Sequence, residues 1–180
     1  TTARATEFLA GVLTPEDRPK IDGLLRAPGK QHGVRMAGLE LLSRTHAVDA
    51  PDRLVVALGD PHPDVARRAA QLLAGLDDPA VAPRVNAIVR DGDVRERAYA
   101  MLSLVERCRR TRANAFEPAT VSALTTRRGL LHPDLLCRGA SAVALVFGGL
   151  DSTDPAVGPL LDRDVVTVLI STVGGDHFVD

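Results

Sequence analysis

The sequence predicts an all-α chain wound as a right-handed α-solenoid of about five stacked helical hairpins. Three observations carry that expectation. In HPDVARRAAQLLAGL, His62 to Leu76, the apolar residues Val65, Ala69, Leu72, Leu73 and Leu76 recur at helical spacing and fall on one stripe. The same pattern returns as DVRERAYAML from Asp93 and HPDLLCRGASAV from His132, and more loosely as GVRMAGLELLSR from Gly33. Breaker residues separate the copies: Gly59-Asp60-Pro61, Asp77-Asp78-Pro79 and Asp91-Gly92-Asp93.

Taken in order, ATEFLAGVL reads as a short capping helix with Phe8, Leu9 and Val12 inward. Pro15-Glu16-Asp17 opens a first helix, with proline early and acids in the first turn, and Ala27-Pro28-Gly29 closes it. Gln31 to Thr45 returns antiparallel. Ala50-Pro51-Asp52 starts the next pair, in which Leu54, Val55 and Leu58 pack and His62 stands at the N-cap of the returning helix. The helix from Pro79 to Arg90 turns Val81, Val85, Ile88 and Val89 inward, and its partner runs to Glu106-Arg107-Cys108-Arg109-Arg110-Thr111-Arg112. Pro118 begins a fourth pair with Val121 and Leu124 inward, stopped at Gly129. The returning segment from Pro133 to Gly148 is apolar nearly all round, with an expected stripe of Leu135, Gly139, Ala142, Val143 and Val146, and must be buried on more than one side. A fifth pair follows from Asp151, although the β-branched run 164–173 reads as helix or strand. Its apolar surface calls for cover by Phe178 and Val179, by another subunit or by further chain. The repeats thus fall near 14–46, 50–76, 78–110, 117–149 and 151–174 of one domain, 1–180.

Asp60-Pro61-His62-Pro63-Asp64-Val65, followed by Arg68-Ala69-Ala70 and Leu72-Leu73, resembles the second helix of a HEAT-type repeat, including the HEAT-like repeats of the bilin lyases. Repeat one departs from that motif with Met36-Ala37 in place of Arg-Ala, and repeat three replaces the proline turn with Asp91-Gly92-Asp93. The resemblance implies a scaffold that binds other proteins, since most arrays of this type serve so and fewer are enzymes or maturation factors.

Composition narrows the class. With 45% hydrophobic residues in 180 the chain can bury a core, and with 3% aromatics and no Trp that core must be built from Ala, Val and Leu. The net charge of -1 argues against a generally basic nucleic-acid binder. Its distribution is uneven, with 11 Lys and Arg against 6 Asp and Glu in residues 84–138, and 1 against 6 in residues 139–180. No run of about 18 apolar residues and no signal pattern is present, so a cytoplasmic protein without membrane association is expected. Cys108 and Cys137 would sit roughly 16 Å apart on neighbouring parallel helices, beyond disulfide reach, and read as free thiols.

The chemistry-bearing residues assemble no catalytic constellation, so no catalytic residue, metal or cofactor is assigned. His62 and His132, each in a His-Pro-Asp turn, would stand roughly 16 to 20 Å apart if two helix layers intervene, and read as caps. His32, His46 and His177 form no ligand spacing. Arg68, Arg97 and Arg138 recur at one helical position, where packing along the parent hairpin explains them. The basic run about Cys108 complements a helix C-terminus, and its alternative is phosphate binding or thiol activation. Opposite the buried stripe lie Arg67, Gln71, Glu96, Tyr99, Ser103, Cys137 and Ser141, the expected partner-binding face, with Tyr99 as anchor. The partner expected there is another protein or a second copy of the chain. The alternative is a nucleic-acid binder resembling the HEAT-like alkylpurine DNA glycosylases, supported by the basic middle segment.

Overall fold

The computed structural model describes residues 15–45 and 48–148, and every regular element among them is helical. The chain divides into two compact units, Thr1–Asp78 and Pro79–Asp180, where the sequence suggests one continuous domain. The expected capping helix near Phe8 and the expected fifth pair lie outside the described residues.

The first unit holds α1 (Arg18–Leu25), α2 (His32–Arg44), α3 (Ala50–Ala57) and α4 (Pro63–Gly75). Helix α1 packs on α2 and α3 on α4, which makes two hairpins, and α2 packs on α4. Local chemistry fixes the ends: His62, in an extended conformation, caps α4 by accepting the Asp64 amide, and Pro63 occupies the first turn, where its missing N–H costs nothing.

Because α4 is flanked by two helices, it buries two rows rather than one. Val65 and Ala66, Ala69 and Ala70, and Leu73 and Ala74 are all buried. Leu72 and Leu76, expected in the stripe, are only half-buried. Both lie toward the edge of the buried arc, which runs from Val65 through Leu73 to Ala74. In α2 the buried set is Arg35, Gly38, Leu39, Leu41 and Leu42. At Gly38 a Cβ would stand 3.1 Å from Leu24 Cβ, so glycine admits the close approach of α1.

Two sets of charges tie the hairpins of this unit. Arg18 and Asp22 of α1 alternate with Asp49 and Arg53 at the start of α3, with Arg53 Nε on Asp49 at 2.8 Å and Arg18 also on Asp49. Deeper down, Arg35 holds Asp60 bidentately at 2.8 and 2.9 Å and donates to the carbonyls of Ala27 and Pro28. Arg97 is placed alike in the second unit, donating to the Arg128 carbonyl. Both arginines are buried on the second helix of a hairpin and reach the turn of the next.

The second unit holds α5 (Val81–Asp91), α6 (Val94–Thr111), α7 (Pro118–Leu124) and α8 (Leu135–Phe147). Helix α6 packs on both α5 and α8, and α7 packs on α5 and α8. A full capping box starts α6: Asp93 accepts the Glu96 amide while Glu96 reaches back to the Asp93 amide. Asn86, 1% exposed, joins the first helices, because its amide nitrogen donates to Ala115 and its oxygen accepts from Glu117. At Gly129 any Cβ would collide with the Leu124 carbonyl, which explains why the turn after α7 requires glycine.

Helix α8 is buried on more than one side, as its composition predicts, with Cys137 and Gly139 through Leu145 all buried. Leu135 and Val146, expected in its inner stripe, are exposed because they lie at its ends, at 47% and 54%. Helices α6 and α8 run in the same direction. Arg97 and Cys137 meet at the Arg128 carbonyl, and Ser141 meets Met101 40 residues back.

Candidate functional site

The register of α6 and α8 decides what happens to the expected partner-binding face. Tyr99, Ser103, Cys137 and Ser141 are buried, at 4%, 2%, 0% and 0% exposure, so they belong to the interior of the second unit. The reason is the flanking of α6 by α5 and α8: the side opposite the hairpin stripe is covered by the next hairpin. Ser141 donates to the Cys137 carbonyl at 2.7 Å, a local bond that leaves no free hydroxyl for a partner. In the first unit Arg67 and Gln71 are exposed, and Gln71 accepts from Arg68 at 2.9 Å. Glu96 is half-buried and engaged in the capping box.

The thiols are not activated. Both cysteines are free and buried. Burial pushes the Cys108 thiol up, against the smaller lowering effect of the Ala115 amide, which its sulfur accepts at 3.2 Å. Burial likewise raises Cys137, with the Arg97 charge opposing. The alternative in which the neighbouring arginines activate Cys108 is thereby set aside, since desolvation outweighs what lowers the pKa.

Two of the three recurring arginines, Arg68 and Arg97, have structural partners. Arg97 donates to Arg128 O at 3.0 Å, in the next hairpin rather than its own, and Arg68 pairs with Glu40 of α2. The two basic clusters of the second unit lie at opposite ends. Arg128 turns to the C-terminal end of α5, at the Arg90 carbonyl and Asp91. The other cluster leaves the C-terminus of α6. With the offset of 40 residues seen at Ser141 and Met101, Arg107 is level with Phe147, the last residue of α8. Arg109, Arg110, Thr111 and Arg112 therefore overhang the end of α8, and all are exposed. Arg112 adopts a left-handed conformation, φ 58°, the one positive φ at a non-glycine among the described residues.

A second constellation lies in the first unit and was not legible in the spacing of the histidines. His32 opens α2 and His62 caps α4, and the packing of α2 on α4 stacks their rings with centroids 3.8 Å apart and planes 6° from parallel. Asp64 joins them, so that one ligand atom from each of the three lies within 4.8 Å of the others. His62 Nδ1 accepts the Asp64 amide at 3.3 Å and stands 3.8 Å from Asp64 Oδ2. The readable signal is positional: both histidines begin the second helix of consecutive hairpins. His132 makes the same local bond, accepting the Asp134 amide at 3.0 Å, but it is Asp134 rather than the expected His132 that caps α8, and among the described residues no ring stacks on His132.

No family model matches the chain, and no curated relative and no solved structure matches it. Among the described residues no helix is long and apolar enough to cross a membrane.

Proposed function

We propose that the chain is a cytoplasmic protein-interaction scaffold built as a short, right-handed HEAT-like array, and that its partner presents an acidic surface. The partner is another protein or a second copy of this chain. The reading rests on one observation: the arginine-rich last turn of α6 extends past the helix beside it and ends in a strained arginine. A single arginine at a helix C-terminus is accounted for by the exposed carbonyls it complements. Arg109, which pairs with Glu106 at 2.9 Å, together with Arg110 and Arg112 concentrates positive charge at the exposed end of the helix, where a partner can reach it. Left-handed backbone at a non-glycine costs about 1 kcal/mol or more, and such strain collects at binding sites. The buried Tyr99, Ser103, Cys137 and Ser141 do not form part of this surface. In the first unit the exposed Arg67 and Gln71 remain on the proposed concave face.

The chain supplies a candidate for its own partner, because residues 139–180 carry 6 Asp and Glu against 1 Arg. Light scattering at low and high salt tests the reading, together with the charge reversals Arg109→Glu, Arg110→Glu and Arg112→Glu combined. Binding to a fluorescent Glu-rich peptide and to duplex DNA is measured beside it. The expected result is association with itself or with the acidic peptide that salt and the triple variant abolish, and that reversal of Arg127 and Arg128 leaves intact. A chain that stays monomeric and ignores the peptide but binds DNA would replace this reading with the nucleic-acid one. Absence of all three interactions would end both.

A further inference from the structure

We propose that His32, His62 and Asp64 form a binding site for a borderline divalent transition-metal ion, of which zinc is the natural probe, and that the ion pins α2 to α4. The site goes beyond the scaffold reading and does not depend on it.

Two imidazoles and a carboxylate are the donor set that suits zinc, nickel or copper, whereas magnesium and calcium favour oxygen-only shells. The spacing admits the ion. Bonds from a metal to histidine nitrogen and carboxylate oxygen are about 2.0 to 2.2 Å, so a bridged pair of donors stands up to about 4 Å apart. His62 Nδ1 and Asp64 Oδ2 already meet that condition at 3.8 Å. One nitrogen of His32 lies within 4.8 Å of a ligand atom of each of the other two residues and needs a shift of an ångström or so. A turn of the His32 ring out of the 6° stack is also required, because lone pairs on parallel rings do not converge on one point. His32 and His62 are each half-buried and Asp64 is exposed, so water can reach the site and complete the coordination.

Two features set the strength of the site. Binding at His62 Nδ1 displaces the Asp64 amide that this nitrogen accepts, so the ion exchanges one helix-capping bond for a link between hairpins. The site also lies at the N-termini of α2 and α4, where the helix dipoles oppose a cation. The carboxylate of Asp64 offsets that field, while Asp60 beside it is held by Arg35 and by the His62 amide. Asp64 is therefore as necessary as the rings.

Calorimetric titration of the full chain with zinc chloride, and separately with magnesium chloride, tests the site, with thermal unfolding recorded in parallel. His132→Ala is the control, since His132 also accepts the amide two residues on but, among the described residues, has no stacked ring. The expected result is one zinc per chain, no magnesium binding, and a zinc-dependent rise in unfolding temperature. His32→Ala and Asp64→Asn each weaken zinc binding by at least about tenfold, and His132→Ala leaves it unchanged. His32→Ala keeps the His62 cap, so it tests the site even if His62→Ala perturbs folding. No zinc binding by the unaltered chain, an affinity left unchanged by His32→Ala or by Asp64→Asn, or an equal loss in His132→Ala would overturn the proposal.

Discussion

The side-chain oxygen of Asn86 accepts the backbone amide of Glu117 at 3.0 Å, and its nitrogen donates to the carbonyl of Ala115 at 2.8 Å. One buried amide thus satisfies both polar groups of a chain segment that enters α7, and it does so from the first helix of the preceding hairpin. Asn86→Ala leaves an N–H and a C=O unpaired in the interior, at about 1 to 3 kcal/mol each. The expected cost is about 2 to 6 kcal/mol in urea unfolding, with the loss confined to the second unit. An unchanged midpoint would show that water replaces the amide without penalty.

Leu73 is fully buried between two helices while its neighbour Leu72 is half-exposed. Leu73→Ala is expected to cost about 2 to 5 kcal/mol, the range for a buried leucine, and Leu72→Ala about 1 kcal/mol. Gln71→Ala changes stability by less than about 0.5 kcal/mol. Denaturant unfolding of the three variants ranks them, and a larger loss at Leu72 would reverse the assignment of the buried rows.

Arg35 and Asp60 form a nearly buried ion pair, with side chains 6% and 12% exposed. Removing one partner strands the other, so Arg35→Ala is expected to destabilise by about 3 to 5 kcal/mol. The double variant Arg35→Met with Asp60→Asn should lose less, because no buried charge is left unpaired. A double-mutant cycle measures the coupling, and strict additivity would show that the pair contributes nothing specific.

Arg112 occupies a conformation that glycine adopts at no steric cost. Arg112→Gly is expected to raise the stability of the second unit by about 0.5 to 1 kcal/mol while weakening any acidic partner. A variant that gains stability without losing binding would separate the strain from the proposed function.

Burial raises both thiols above their ordinary value, so the folded chain disfavours thiolate. Alkylation by iodoacetamide should be slow at neutral pH in the native chain and fast in urea. The sign for stability follows from the same shift. Protonated thiol is the folded form, so stability is fully present below the unfolded thiol pKa and is lost as pH rises through the folded one. Unfolding midpoints measured across the alkaline range check it, and a midpoint that rises there would contradict the shift.

The helical class, the breaks between helices and the cap at His62 were legible because each is a local matter, whereas the cap expected at His132 falls instead at Asp134. A helix start needs an acceptor for its own amides within three residues, and the apolar period of a helix is written along one segment. The burial of α8 on more than one side was also legible, since a segment with hardly any polar residues has no face to give to water. The free state of Cys108 and Cys137 followed from their offset along neighbouring parallel helices.

Only the tertiary structure decided which second row is buried and which distant side chains meet. Periodicity locates a stripe facing one neighbour, yet α4 and α6 each have two, so the face assigned to Tyr99, Ser103, Cys137 and Ser141 became interior. Arg35 pairs with a turn 25 residues away, and His32 stacks on a ring 30 positions on, because α2 and α4 run side by side at a fixed register. That register depends on how closely Ala, Gly and Leu side chains let two helices approach. It is a property of the packed pair, and neither segment carries it alone.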